Sequence, residues 1–323
     1  MRASAWPGLS YPFPPSINEH SDSVHHETVE WASGLGLIGG EIEYEEVLAT
    51  NIGRLAGRFH PSAPRERLRL ISDWYAWMFF RDDLCDEAQI GRHPDLLAAA
   101  DLHYLEVLRG SERYPGESRD PLSAAMSDLR GRLVPVVPAA LWMRRFVRSV
   151  KEHFESTLWE ASNRSRNAVP DLETYTRMRP ITGGMYVDAD FIEITTDIYL
   201  PPEVHGHPIV SALTRMSNNA VCWANDVISL RKELARGDVH NLVIVLNEQS
   251  ASRDLEASKE AAVGMHDREV GKFLRTQKNL PSFGRAIDAN LERYVSVLRS
   301  RMRGNLDWSL ESSRYRAEPP VAG

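Results

Sequence analysis

Two cysteines, Cys85 and Cys222, are all that this chain of 323 residues contains. That is far too few for a disulfide scaffold, so the fold has to be held by a core. Reduced thiols and a cytoplasmic location are the matching expectation. Long apolar runs are missing as well: none approaches the roughly 18 residues of a membrane span. The opening MRASAWPGLSYPFPPSIN sets proline and polar residues where a secretory leader would be continuously apolar. Positive charge is in deficit, since 38 Lys and Arg against 45 Asp and Glu leave a formal −7. A nucleic-acid or anionic-membrane binder needs a basic face to meet phosphate, which argues against both. An anionic ligand would have to be met through metal ions or a few placed cations.

Strand-like alternation, internal repeats and low-complexity tracts are also lacking, and what remains is helix. With 42% hydrophobic and 26% charged residues, the chain has the composition of a folded protein with ample core. Residues 1–20 carry Pro7, Pro12, Pro14 and Pro15 and read as an irregular strap. From Ser21 onward, long stretches with helical spacing are separated by short breaks such as HPSAPRE, RYPGESRDP and VPVVPA. Ser62 with Pro64 and Glu66, and Pro170 with Asp171, are helix-start signatures. NLVIVL (241–246) reads as a buried helix. The expectation is an all-α bundle of ten or more helices in one domain over 21–312. The last twenty residues lose the helical period and are expected to form a loop, with 313–323 ending in a frayed tail.

The segment RLRLISDWYAWMFFRDDLCDEA (67–88) is the most informative. Ile71, Tyr75, Met78, Asp82 and Asp86 share one helix stripe, so an apolar, aromatic face runs straight into carboxylates, with Asp83 and Glu87 beside them. Like charges at this spacing repel unless a cation neutralises them. The bland reading is a solvated acidic helix end. The sharper one is a hard-cation site, because oxygen-only ligands suit Mg²⁺ bound jointly by carboxylates and substrate phosphates.

A second polar stripe lies in NNAVCWANDVISLRKELARGD (218–238), where Asn225, Ser229 and Glu233 climb one face at i, i+4 and i+8. They form either a hydrogen-bonded network or a row of hard oxygen ligands. Lys232 beside Glu233 is a surface charge or a phosphate donor. Between the stripes, Pro180 and Gly183–Gly184 interrupt a helical stretch just after Arg177 and Arg179, freeing backbone groups beside guanidinium groups suited to bidentate phosphate contact. Arg314–Tyr315, taken alone, is a tail pair.

Taken together these residues resemble the class I terpene synthases of bacterial type. Asp82, Asp83 and Asp86 in DDLCD match the aspartate-rich motif, and NDVISLRKE matches NDxxSxxxE through Asn225, Ser229 and Glu233. Arg179, 46 residues before Asn225, matches the diphosphate-sensing arginine, Lys232 the lysine before the Glu, and Arg314–Tyr315 the C-terminal RY pair. The chain departs from the family at Thr182, where an acid can link sensor to helix break.

The resemblance implies helices around an apolar cavity and a lyase that ionises an isoprenyl diphosphate and cyclises the cation. It also implies three Mg²⁺ ions, with Mn²⁺ as a substitute, held by Asp82, Asp83, Asp86, Asn225, Ser229 and Glu233. Arg179, Lys232, Arg314 and Tyr315 would hold the diphosphate. Thr182 and Gly183 would lie at the helix break, and Phe79 and Trp308 would line the cavity and shelter the cation. Farnesyl diphosphate is the expected substrate, with geranyl and geranylgeranyl diphosphate as alternatives, and a homodimer is common among relatives. A chain-elongating prenyl diphosphate synthase and a non-catalytic helical scaffold are the rival readings.

Overall fold

Proline or a capping acid stands at several helix starts. The computed structural model describes residues 8–87, 94–111, 120–137 and 139–315, apart from the side chains of 84–87 and 94. The readings at Asp86, Cys85, most of RYPGESRDP and the tail beyond Tyr315 therefore lie outside the described residues.

Among the described residues there are fourteen α-helices and no strands. They run α1 (Ser21–Gly34), α2 (Glu41–Ala49), α3 (Ile52–Phe59), α4 (Arg65–Glu87), α5 (Pro94–Arg109), α6 (Pro121–Leu133) and α7 (Ala140–Ser165). The second half holds α8 (Leu172–Thr182), α9 (Met185–Thr195), α10 (Pro202–His205), α11 (Pro208–Arg236), α12 (Leu242–Gln249), α13 (Leu255–Thr276) and α14 (Arg285–Glu311). Pro64 immediately precedes α4, and the Asp171 side chain caps α8 by accepting from the Thr174 N–H at 2.8 Å. NLVIVL is helical, as α12, with Asn241 accepting from the Val243 N–H at 2.8 Å at its start.

A buried aromatic cluster backs α4: Trp74 meets Phe146 edge-on at 4.9 Å, and Phe146 stacks on Trp142 at 4.8 Å. Such pairs add about 0.5–1.5 kcal/mol beyond their burial. The indole N–H groups of Trp77 and Trp142 donate to Leu122 O and Asp190 O. Arg81 ties α4 to its neighbours, reaching Asp101 on α5 at 2.7 and 2.8 Å and Thr157 on α7 at 2.8 Å. Both members of this pair are buried, and removing one would strand the other at a cost of about 3–5 kcal/mol.

The opposite wall is α3 against α14. Gly304 lets them touch, because a Cβ there would fall 2.8 Å from the Arg58 carbonyl oxygen. Arg54 and Arg58 bind Glu311 from α3. This contact corrects the expected loop over the last twenty residues: α14 continues to Glu311, followed by a 3-10 turn at Ser313–Tyr315. Trp308, 2% exposed, donates its indole N–H to Thr50 O and Asn51 O, both at 3.0 Å. Tertiary burial sustains the helix where its own sequence period fades. The break at VPVVPA holds a 3-10 turn at Val134–Val136, between α6 and α7. Pro180 stays inside the last turn of α8, so the helix breaks at Gly183–Gly184, with Gly184 left-handed at φ 67°.

Candidate active site

Residues Met216 to Leu230 of α11 are buried except for the half-buried Asn225, and this helix carries the polar row into the cavity. Asn225, Ser229 and Glu233 line it together, and the Ser229 hydroxyl donates back to Asn225 O at 2.8 Å. Glu233 accepts from the Asn241 amide at 2.6 Å, and burial, with Asp226 nearby, pushes its carboxyl up to about 7.

Asp226, fully buried one residue past Asn225, organises this region. Its carboxylate accepts from Arg179 Nε at 2.8 Å, the Tyr175 hydroxyl at 2.7 Å and the Leu242 N–H at 3.1 Å. Arg179 is thereby fixed from behind, while its other arm donates to Asn225 Oδ1 at 2.9 Å. Burial works against the guanidinium charge, but Asp226 outweighs it and holds Arg179 well above its usual range. Thr182 returns its hydroxyl to Arg179 O at 3.2 Å. It therefore ties the last turn of α8 to itself and makes no charged link to the break. A Cβ on Gly183 would lie 2.9 Å from Cys222 Sγ and 3.0 Å from an Arg179 terminal nitrogen.

Across the cavity mouth, Arg314 donates to Asp83 at 3.1 Å, stands 4.0 Å from Asp82, and sits 4.4 Å over the Phe79 ring. Its neighbour Tyr315 accepts from the Asn225 amide at 2.6 Å. Two consecutive residues from the end of the described chain thus bridge both polar stripes. Phe79 stacks on Trp308 at 6.0 Å, and Tyr315 meets Trp308 edge-on at 5.6 Å.

These groups surround a cavity of about 270 Å³, lined also by Leu55, Phe59, Trp74, Met78, Met185 and Val221. Asp82, Asn225, Ser229, Lys232, Glu233, Arg179, Thr182, Gly183, Phe79, Trp308, Arg314 and Tyr315 all border it, and Asp83 joins through Arg314. Among the described residues no three His, Cys, Asp or Glu side chains converge on a point. The donors are instead split between two helices, and those of α11 are an amide, a hydroxyl and one carboxyl. All are hard oxygens, and cationic guanidinium groups already rest on Asp83 and on Asn225 Oδ1. The set fits a hard divalent cation better than a soft one.

The profile described as terpene synthase family 2, C-terminal metal binding, matches residues 73–272, which span both stripes. The chain belongs to this terpene synthase family. It is 38% identical to (+)-T-muurolol synthase of Roseiflexus castenholzii, over 95% of this chain and 93% of that protein. It is 37% identical to 10-epi-cubebol synthase of Sorangium cellulosum, over 95% and 97%. Among solved structures, the SVS_A2 protein from ancestral sequence reconstruction superposes with a TM-score of 0.85 at 27% identity, covering 94% of this chain and 90% of that one. The protein is a terpene synthase with the class I fold.

Several residues in and behind this terpene synthase's cavity have no motif or spacing that marks them as candidates on their own. Asp226 stood inside the recognised motif, and its one-residue offset from Asn225 was a signal that it points towards α8. Asn241 and the group formed by His60, Asp188 and Arg301 carried no local signal. No described helix is long and apolar enough to cross a membrane.

Proposed function

We propose that the enzyme is a Mg²⁺-dependent cyclase of farnesyl diphosphate, carried by one helical domain. The observation behind this reading is the pair Arg314–Tyr315, which touches the α4 acids through one residue and the α11 row through the other, with Arg179 fixed beside them. Three Mg²⁺ ions would be held by Asp82, Asp83 and Asp86 on one side and by Asn225, Ser229 and Glu233 on the other. Bound there, the metal would supply Lewis-acid neutralisation of the diphosphate.

The chain's own donors account for the rest. Arg179, Lys232, Arg314 and Tyr315 hold the diphosphate by charge-assisted hydrogen bonds. Because Arg179 is fixed by Asp226, it requires little reorganisation as the allylic C–O bond breaks and the electron pair leaves with diphosphate. The carbocation left behind faces Phe79 and Trp308, whose π faces attract it and whose bulk excludes water. A cavity near the low end of the ~300–1,000 Å³ common for ligand sites suits the farnesyl chain better than the longer geranylgeranyl chain. The Roseiflexus relative is itself named as cyclizing (2E,6E)-farnesyl diphosphate.

Incubation with Mg²⁺ and geranyl, farnesyl or geranylgeranyl diphosphate, followed by extraction of volatiles, tests the reading. A cyclic product from farnesyl diphosphate that disappears with a chelator and returns with added Mg²⁺ is expected. Turnover only with another chain length would reassign the substrate, elongated diphosphates would indicate a prenyl synthase, and no turnover would favour a scaffold.

A further inference from the structure

The cavity has an ionic group where an apolar wall would be expected. Tyr75 lies seven residues before Asp82 on α4, about 10 Å deeper by helix rise. Its hydroxyl donates to Asp188 Oδ1 from α9. Both residues line the cavity and retain 7% and 5% exposure, while the groups behind them are sealed. Arg301 of α14, fully buried, pairs with the other Asp188 oxygen and donates to Met185 O and Asn218 Oδ1. His60, 1% exposed, places Nε2 3.2 Å from Asp188 Oδ1 and 3.3 Å from the Tyr75 oxygen. Its Nδ1 lies 2.9 Å from Thr195 Oγ1, whose own proton goes to the Phe191 or Ile192 carbonyl. Nδ1–H is therefore the donor in that contact, which leaves Nε2 facing Tyr75 and Asp188.

A carboxylate facing an apolar cavity is costly unless it is paired. Arg301 pairs it from behind, and nothing in that pairing requires the Tyr75–Asp188 unit to reach the cavity. Burial alone would raise the Asp188 carboxyl, but Arg301, His60 and Tyr75 outweigh it and hold it at about 2, so it is an anion at neutral pH. Burial, with Asp188 beside it, raises the Tyr75 phenol well above its usual range, so that it keeps its proton.

We propose that Tyr75 and Asp188 form the proton acceptor that ends the reaction, an inference that rests on the cyclase reading above. The C–H bond beside the cationic carbon breaks, and its electron pair closes a carbon–carbon double bond. The released proton goes to the Tyr75 oxygen as the phenolic proton moves to Asp188 Oδ1. Tyr75 is left neutral and Asp188 protonated. The deep position matters because diphosphate, itself a base, stays at the mouth. An acceptor at the far end selects which carbon loses its proton, and so sets the product.

Tyr75→Phe is the deciding variant, since it keeps the ring and removes only the accepting oxygen. Asp188→Asn is its partner, with the unfolding midpoint measured for both. With farnesyl diphosphate, diphosphate release by Tyr75→Phe should stay within about threefold of wild type, while the principal product's share falls about tenfold in favour of isomers with the double bond elsewhere. A wild-type product profile from Tyr75→Phe, at a preserved unfolding midpoint, overturns the proposal, because a wall residue would tolerate the change. If the wild-type enzyme released no diphosphate from any of the three substrates, the cyclase reading itself would fail and take this inference with it.

Discussion

On α11 the polar row stands on a prepared support. Asp226 is fully buried and accepts three hydrogen bonds, Asn241 braces both the Asp226 carbonyl and Glu233, and Arg179 is fixed between Asp226 and Asn225. On α4, Asp82 and Asp83 keep 48% and 36% of their side chains exposed and meet Arg314, which arrives from the end of the described chain. The two halves of one mouth are therefore organised differently. The α11 half is already ordered by protein contacts. The α4 half is neutralised by a guanidinium that, on the cyclase proposal, a diphosphate bound with its cations would draw away. The contrast separates stability from activity and can be broken by substitution.

The largest expected effect is on folding. Asp226→Ala would strand the Arg179 charge in a buried site and should lower unfolding stability by about 3–5 kcal/mol. Asp83→Ala removes a partly solvated pair and should cost about 1 kcal/mol or less. Both should abolish product formation, so urea unfolding run beside a diphosphate-release assay distinguishes the halves. Equal stability losses would show that the α4 half is as firmly built as the α11 half.

Next in size is Arg179→Lys. Lysine keeps the charge but cannot span Asp226 and Asn225 as the guanidinium does, and diphosphate release should fall about 10²–10³-fold, the range for losing one preorganised donor. The unfolding midpoint should move far less than in Asp226→Ala, because an ammonium still neutralises the buried acid. Release within tenfold of wild type would mean that charge, not the fork, is what the site uses.

How much of this could be read from the chain depended on the range of the contact. The α4 stripe, the α11 row and the glycine break were visible because each lies within a few turns of one helix, where side-chain direction follows from spacing. Asp226 was nearly visible, being adjacent to Asn225 and turned by one residue. His60, Asp188 and Arg301 were not, since they meet from α9, α14 and the segment after α3, and tertiary packing alone brings them together. The course of α14 past residue 304 was misjudged for the same reason, as Trp308 is held by carbonyls more than 250 positions earlier.

A smaller effect should appear in the pH dependence of stability. His153 on α7 donates from Nδ1 to Ile181 O at 3.1 Å beneath the helix break, and burial, reinforced by Arg81, lowers it to about 3. The folded state binds this proton less readily than the unfolded chain. The associated stability is full above the unfolded value near 6.5 and is lost as pH falls from there towards 3. At pH 5 the loss should be roughly 2 kcal/mol. Urea titrations at pH 7 and pH 5 should show that loss in wild type and a correspondingly smaller one in His153→Gln. Identical pH slopes in the two proteins would show that His153 is not the group responsible.

The smallest predicted effect tests how the prepared half is joined to the cavity. Gly183 has φ −73°, which any residue adopts, so alanine there meets no backbone strain. Its methyl would instead press within about 3 Å of Cys222 Sγ and the Arg179 terminal nitrogen. Cys222 is held on the buried stretch of α11 and has little room to move, so the strain falls on Arg179 at Nη1, and through the planar guanidinium on Nη2, the terminal nitrogen that reaches Asn225. An overpacking cost of about 1–3 kcal/mol, expressed largely as misplacement of that guanidinium, should slow diphosphate release about tenfold while leaving the secondary structure intact. A product change at an unaltered release rate would mean that Gly183 shapes the cation directly, through the backbone it presents to the cavity. Slower release with the same products would mean that it acts through Arg179, and so belongs with Asp226 and Tyr175 to the support of the mouth.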